Sequence, residues 1–174
     1  MLPAYIKKIN DVSCYTYPFP TGRIYIFGNK DCIKLVAFGH SIDHKKEIEK
    51  RFKIIVTEEI EKAIEFLDNY LIGENGTLPS LDLAPFSENE KKVYDELIKI
   101  KFGKTISYKA LSEKAGIKNG ARFVGNTMAR NFFPIFIPCH RVVNSSGIIG
   151  NFSAGKEIKR FLLQHEKVLL KASV

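Results

Sequence analysis

The chain reads as an α/β N-terminal domain, a small antiparallel sheet with helices, followed by a mainly α C-terminal domain with a helix-turn-helix. Three observations predict this. Runs rich in aromatic and β-branched residues alternate with turn residues as far as Phe38, the pattern of short strands. From Phe86 onward, apolar residues recur at helical spacing. Between the two lies a stretch punctuated by Gly73, Gly76 and Pro79 that ends in Pro85, the composition of a boundary. The predicted limits are 1–78 for the first domain, 79–85 for a linker and 86–174 for the second.

The elements follow in order. Ser13–Phe19 and Arg23–Phe27 flank Pro20-Thr21-Gly22, which predicts a hairpin. Gly28–Asp31 is a second turn, and Cys32–Phe38 a third strand. Lys45–Arg51 has helical character, and Phe52–Val56 that of a further strand. Glu58–Leu71 carries Ile60, Ala63, Ile64, Leu67 and Leu71 at the spacing of one helix face.

In the second half, Ser87-Glu88-Asn89-Glu90 is a capping box. It opens a helix with Val93, Tyr94, Leu97 and Ile98 inward. Ser107 caps a short helix that runs through Ala115 with Leu111 and Ala115 inward, and Gly116 breaks it. Asn119 is placed to cap the next helix, running to about Arg130. Two helices about a glycine turn are the helix-turn-helix plan.

On that last helix Val124, Thr127 and Met128 share a core-side stripe, while Arg122, Gly125, Asn126 and Ala129 share another. The second stripe is small or polar with one large cation. It suits close backbone approach to a DNA minor groove, or simple packing against another helix.

Charge points the same way. The net charge is +8. Residues 1–85 hold 11 Lys and Arg against 12 Asp and Glu, whereas residues 86–174 hold 16 against 7. The excess lies in the second half, as expected of a domain that meets a polyanion. No apolar run is long enough to span a bilayer, and the N-terminus lacks the zones of a signal peptide, so a cytoplasmic protein without membrane contact is expected. Three cysteines, at 14, 32 and 139, do not make a disulfide framework. Cys14 and Cys32 read as small residues in a strand pair; pairing with each other, or binding zinc with His40 and His44, are the other readings.

Ile137-Pro138-Cys139-His140-Arg141 stands apart. A thiol between a proline and an imidazole, followed by a guanidinium, is the setting of a nucleophile whose pKa is lowered by its neighbours. Beside a DNA-docking element it suggests a cysteine that reacts with nucleic acid.

With Thr105–Tyr108, Ala121–Gly125, Asn131, Pro134, Ile137–Val143, Gly150–Ser153 and Leu162–Glu166, the stretch from Phe86 to Glu166 resembles the O6-alkylguanine-DNA alkyltransferases. The first half resembles that family's N-terminal domain in general plan only. The resemblance implies a monomer that flips O6-alkylguanine, and secondarily O4-alkylthymine, out of double-stranded DNA. It also implies irreversible alkyl transfer to Cys139 without a cofactor or metal, in the cytoplasm at the nucleoid, or in the nucleus of a eukaryote.

By resemblance, His140 is the base, acting through a water, Glu166 orients it, and Tyr108 donates to the departing guanine. Val142 and Ser153 line the guanine pocket with Phe152, which stands where many members carry tyrosine. Asn131 braces the turn beneath the cysteine, and Arg122 fills the gap left by the flipped base. Gly125, Ala129 and Met128 belong to the DNA and substrate surface. Lys104, Lys109, Lys118 and Arg130 are candidate phosphate contacts. Two other readings use the same residues: a silent helix-turn-helix damage sensor, and a cysteine hydrolase built on Cys139, His140 and Glu166.

Overall fold

In a computed structural model of the chain, residues 12–39, 48, 52, 55–74 and 76–168 are described. The chain divides into two compact units, Met1–Asp82 and Leu83–Val174.

The first unit is a three-stranded antiparallel sheet in the order β1 (Ser13–Phe19), β2 (Gly22–Gly28), β3 (Ile33–Phe38). Pro20 and Thr21 make the hairpin turn. Gly22 follows at φ 126°, a conformation that favours glycine. Central β2 is buried on both faces through Ile24, Tyr25, Ile26 and Phe27. Helix α1 (Glu58–Ile72) packs on β2 and β3. Thr57 caps its start and Gly73, at φ 81°, its end.

The buried stripe of α1 is Glu59, Ile60, Ala63, Leu67 and Tyr70. Ile64 and Leu71, expected on that face, are half-buried at its edge. Buried Glu59 accepts from the Ser80 amide at 2.6 Å and from Lys62 Nζ at 2.7 Å. After this, Leu81 bridges to Ile33, so residues 80–82 run along β3.

Cys14 lies buried in β1 and Cys32 half-buried before β3, and neither is in a disulfide. His40 and His44 lie outside the described residues, as does most of the helix expected over Lys45–Arg51. Of the strand expected over Phe52–Val56, Phe52 is buried and packs edge-on against Phe27. Ile55 and Val56 are exposed coil.

The second unit is mainly helical. Helix α2 (Glu88–Ile98) opens on the expected capping box, with Ser87 and Glu90 satisfying each other's amides. Such a cap stabilises a helix by about 1 kcal/mol. Val93, Tyr94 and Leu97 are buried, whereas Ile98 is 36% exposed. Strand β4 (Ile106–Ser107) pairs in parallel with β5 (Val142–Val143), a contact that two residues are too short to announce in sequence.

Helix α3 (Tyr108–Lys114) is capped by Ser107 and followed by Gly116 at φ 72°. Asn119 does not cap the next helix as expected. It takes the left-handed conformation itself, at φ 51°, which asparagine tolerates. Gly120 stands at the cap of α4 (Ala121–Ala129) without a side-chain bond.

Val124, Thr127 and Met128 of α4 are buried, while Arg122, Asn126 and Ala129 are exposed and Gly125 half-buried. Tyr94 Oη donates to the Thr127 carbonyl at 3.1 Å and ties α2 to α4. A 3₁₀ turn over Cys139–Arg141 leads into β5, and α5 (Lys156–His165) closes the unit. Among the described residues no helix is long and apolar enough to cross a membrane.

Candidate active site

The turn that carries Cys139 is held from below. Asn131 follows α4, and its Nδ2 donates to the Ile137 carbonyl at 2.8 Å and to Cys139 Sγ at 3.0 Å. Its Oδ1 accepts from the Phe133 amide at 2.9 Å. One amide side chain thus fixes both ends of the loop 131–139 and touches the sulfur. The loop is tight enough to place Ile135, a β-branched residue, at φ 74°, a strained conformation.

Cys139 is 2% exposed. Burial raises its thiol to about 11, against the smaller opposing effects of the Asn131 hydrogen bond and the Lys159 charge. This corrects the expectation of a neighbour-activated thiolate. His140 and Arg141, adjacent in sequence, turn away from the sulfur toward another partner.

That partner is Glu166, at the C-cap of α5. Its Oε1 lies 2.6 Å from His140 Nε2. Arg141 Nε donates to Oε2 at 3.0 Å, and Arg141 Nη2 donates to Oε1 at 3.0 Å. Glu166 also accepts from the Gly103 amide. Burial opposes the charge of Glu166, but the bonds from His140 and Arg141 prevail and hold its carboxyl at about 2. His140 is lowered by burial, with Glu166 partly opposing, so its imidazole is neutral at pH 7. An ionised carboxylate beside Nε2 places the ring proton there and leaves the lone pair on Nδ1.

Above the sulfur opens a cavity of about 500 Å³ lined by Tyr108, Gly125, Asn126, Met128, Ala129, Cys139, Asn144 and the segment 150–153. Its volume falls among small-molecule sites, about 300–1,000 Å³. The phenol of Tyr108 is raised by burial and by Cys139, so it remains a donor. Gly150 packs so closely on this phenol that a Cβ there would lie 2.6 Å from its oxygen.

Of the residues expected in the site, Tyr108, Gly125, Met128, Ala129, Cys139, Phe152 and Ser153 share this cavity. His140, Glu166 and Asn131 sit behind the cysteine. Val142 differs: it is fully buried and is not part of the lining. Its carbonyl accepts from Lys159 Nζ at 2.5 Å. Arg122 stands on the exposed stripe of α4, outside the lining. Lys104, Lys109 and Lys118 are exposed, but Arg130 forms an ion pair with buried Glu90 at 3.0 Å. Sequence reading missed Arg141 as a clamp on Glu166, Asn144 in the lining, and Lys159. The last, 1% exposed, looks in sequence like any solvated helix lysine.

Comparison with known proteins places the geometry in context. Residues 88–168 match a family described as the 6-O-methylguanine DNA methyltransferase DNA-binding domain. The human methylated-DNA–protein-cysteine methyltransferase is 45% identical over 96 residues, 53% of this chain. The match spans about half of that relative, 46% of its length. The Methanosarcina acetivorans protein of the same name is 34% identical over 151 residues, covering 84% of this chain and 93% of that one. In structure, the Mycobacterium tuberculosis OGT solved in complex with DNA superposes with a TM-score of 0.74 at 26% identity, covering 91% of this chain and 93% of that one.

Proposed function

This chain belongs to the methylated-DNA–protein-cysteine methyltransferase family, and we propose that it repairs DNA by moving an alkyl group from O6 of guanine to Cys139. The observation that carries the proposal is Cys139 itself, in the lining of a cavity of about 500 Å³, with an ionised carboxylate ordering the neighbouring imidazole.

Substitution at an alkyl carbon calls for a soft nucleophile, which a thiolate supplies. At rest the thiol is neutral, because burial disfavours its charge. The proton therefore leaves during reaction. His140 receives it at Nδ1 through a bridging water while Nε2 stays bonded to Glu166, the nucleophile–base–orienter logic. The sulfur–carbon bond forms, the carbon–O6 bond breaks, and the thiol proton ends on the released guanine. Tyr108 donates to that guanine as negative charge develops. The thioether has no route back to a thiol, so each molecule acts once.

A base stacked in a duplex does not reach this cavity, so the nucleotide is flipped. Helix α4 offers its exposed stripe to the minor groove, where Gly125 and Ala129 permit close approach. Arg122 enters the stack in place of the flipped base. The second unit, with the segment from residue 86 onward, carries both DNA binding and transfer, in the cytoplasm or nucleus. O4-alkylthymine is a secondary substrate.

The test is intact mass followed by peptide mapping after incubation with a duplex carrying O6-methylguanine. One methyl group on Cys139 is expected. Strand cleavage, release of free base, or an unmodified protein bound to the duplex would contradict the proposal. The last of these would instead favour the silent sensor.

A further inference from the structure

Helix α4 serves two sides at once. Arg122, Asn126 and Ala129 are exposed, and Gly125, Asn126, Met128 and Ala129 line the cavity with Cys139. Its start is loosely tied, since Gly120 offers no side-chain cap and Asn119 before it is left-handed. Side-chain anchors lie at the other end, and two of them come from α2.

Tyr94 donates to the Thr127 carbonyl at 3.1 Å. One turn earlier on the same face of α2, Glu90 Oε1 pairs with Arg130 Nη1 at 3.0 Å. Glu90 Oε2 accepts from the Ser87 amide at 2.9 Å and from the Ser87 hydroxyl at 2.8 Å. Phe86, just ahead of that cap, packs on Tyr94, Phe132 and Phe133 with ring centroids 5.1, 5.2 and 6.3 Å apart. The start of α2 and residues 127–133 thus form one joint. Arg130 is its outermost charge, and the next residue, Asn131, holds the Cys139 sulfur.

The pair is not an ordinary surface contact. The side chain of Glu90 is 6% exposed and that of Arg130 60%. A carboxylate this deep is costly unless it is paired, and among the described residues its cation is Arg130. The capping box does not call for that charge, because a glutamine closes such a box equally well. What the charge adds is the hold on Arg130, at the end of α4 where the helix dipole also favours a cation.

We infer that Arg130 is a positioning residue for alkyl transfer: through Glu90 it fixes the end of α4 on α2, and so sets the cavity wall at Met128 and Ala129 against the turn that Asn131 braces at Cys139. The inference rests on the alkyl-transfer reading, and it moves Arg130 from the candidate phosphate contacts to the frame of the cavity. Transfer needs the bound base and the sulfur at reacting distance, and a misplacement of about 1 Å costs about 100-fold.

The experiment measures the limiting rate of benzyl transfer from the nucleoside O6-benzyl-2′-deoxyguanosine, per folded molecule, and the salt dependence of binding to duplex DNA. The chains are wild type, Arg130→Lys, Arg130→Ala, Glu90→Gln and the double variant of the last two. The nucleoside carries no phosphate, so loss of a phosphate contact leaves its rate alone. Arg130→Ala is expected to lower that rate by about ten-fold, and Arg130→Lys to restore it. Glu90→Gln keeps the capping box and loses the same amount. The double variant loses no more than either single one, because the two residues act as a pair. The slope of duplex binding against log salt stays that of wild type.

An unchanged nucleoside rate with a slope flattened by about 0.9 would make Arg130 a phosphate contact after all. Unchanged rate and slope would leave the pair a strut only, and additive losses in the double variant would show that Arg130 does not act through Glu90. If Arg130→Ala does not fold, Glu90→Gln and Arg130→Lys against wild type decide. A wild-type chain that accepts no benzyl group sinks the repair proposal and this inference with it. One that reacts at the same rate as Glu90→Gln sinks this inference and leaves the repair proposal standing.

Discussion

Two of the buried glutamates, Glu59 in the first unit and Glu166 in the second, serve different ends. Glu59 in α1 accepts a loop amide from Ser80 and an ammonium from Lys62, and its carboxyl is lowered because those bonds outweigh burial. Glu166 at the end of α5 is also lowered, but its partners are His140 and Arg141, the two residues after a cavity-facing cysteine. Burial and a lowered pKa are common to both. What separates them is what the partner side chain touches next. Glu59 ends in a loop, and Glu166 ends one residue from Cys139, which lines the cavity. A perturbed carboxylate is thus a site only when its network reaches an open cavity.

The largest effect expected from breaking this contrast comes from Glu166→Gln. It loses the imidazole's orienting charge and leaves Arg141 buried against a neutral amide. Benzyl transfer should fall about 100-fold, the worth of a positioned base, and stability by about 3–5 kcal/mol, the cost of breaking a buried ion pair. Glu59→Gln should lower stability by about 1–3 kcal/mol and leave the transfer rate per folded molecule unchanged. Equal transfer rates for the two variants would erase the distinction.

The next effect is on acid stability. Glu166 has a folded pKa depressed to about 2 from an unfolded value near 4.5. Its contribution is therefore full above the unfolded value and is lost as pH falls through the folded one. It should amount to about 3 kcal/mol. Urea unfolding from pH 7 to pH 2 should show Glu166→Gln losing less stability than wild type over that window. A parallel decline would mean that Glu166 is not ionised in the folded state.

The contrast also explains what was legible in the sequence. The hairpin announced itself because Pro20-Thr21-Gly22 separates two aromatic-rich runs. The stripe on α4 was readable because a helical period separates Val124, Thr127 and Met128 from Arg122 and Ala129. Glu166 was found through its surrounding motif, since nothing in its own position tells it from a surface carboxylate.

Other features carry no local signal. A two-residue parallel strand has no period to detect. Asn119 satisfies every rule for a cap and yet enters the left-handed region, with Gly120 taking its place. Lys159 is hidden by a prior that assigns helix lysines to solvent. The raised thiol of Cys139 could not be read from its neighbours, because sequence adjacency says nothing of which way His140 and Arg141 point.

Smaller effects belong to the exposed face. Arg122→Ala should slow repair in a duplex by about ten-fold or more while leaving reaction with the free nucleoside unchanged, because only the duplex requires extrusion. Equal slowing of both would remove Arg122 from the flipping step. Smallest is the loss of one phosphate contact. Lys104→Ala or Lys109→Ala should weaken all duplex binding alike and flatten the dependence on log salt by about 0.9, without touching the transfer rate at saturation. An unchanged slope would assign that lysine to solvent.

The central claim is that Cys139 takes the alkyl group and keeps it. Its most direct measurement is the amount of guanine restored when O6-methylguanine duplex is held in excess over protein. Repair should plateau at one equivalent of protein and be absent in Cys139→Ala. Product accumulating past one equivalent, or any repair by Cys139→Ala, would contradict it.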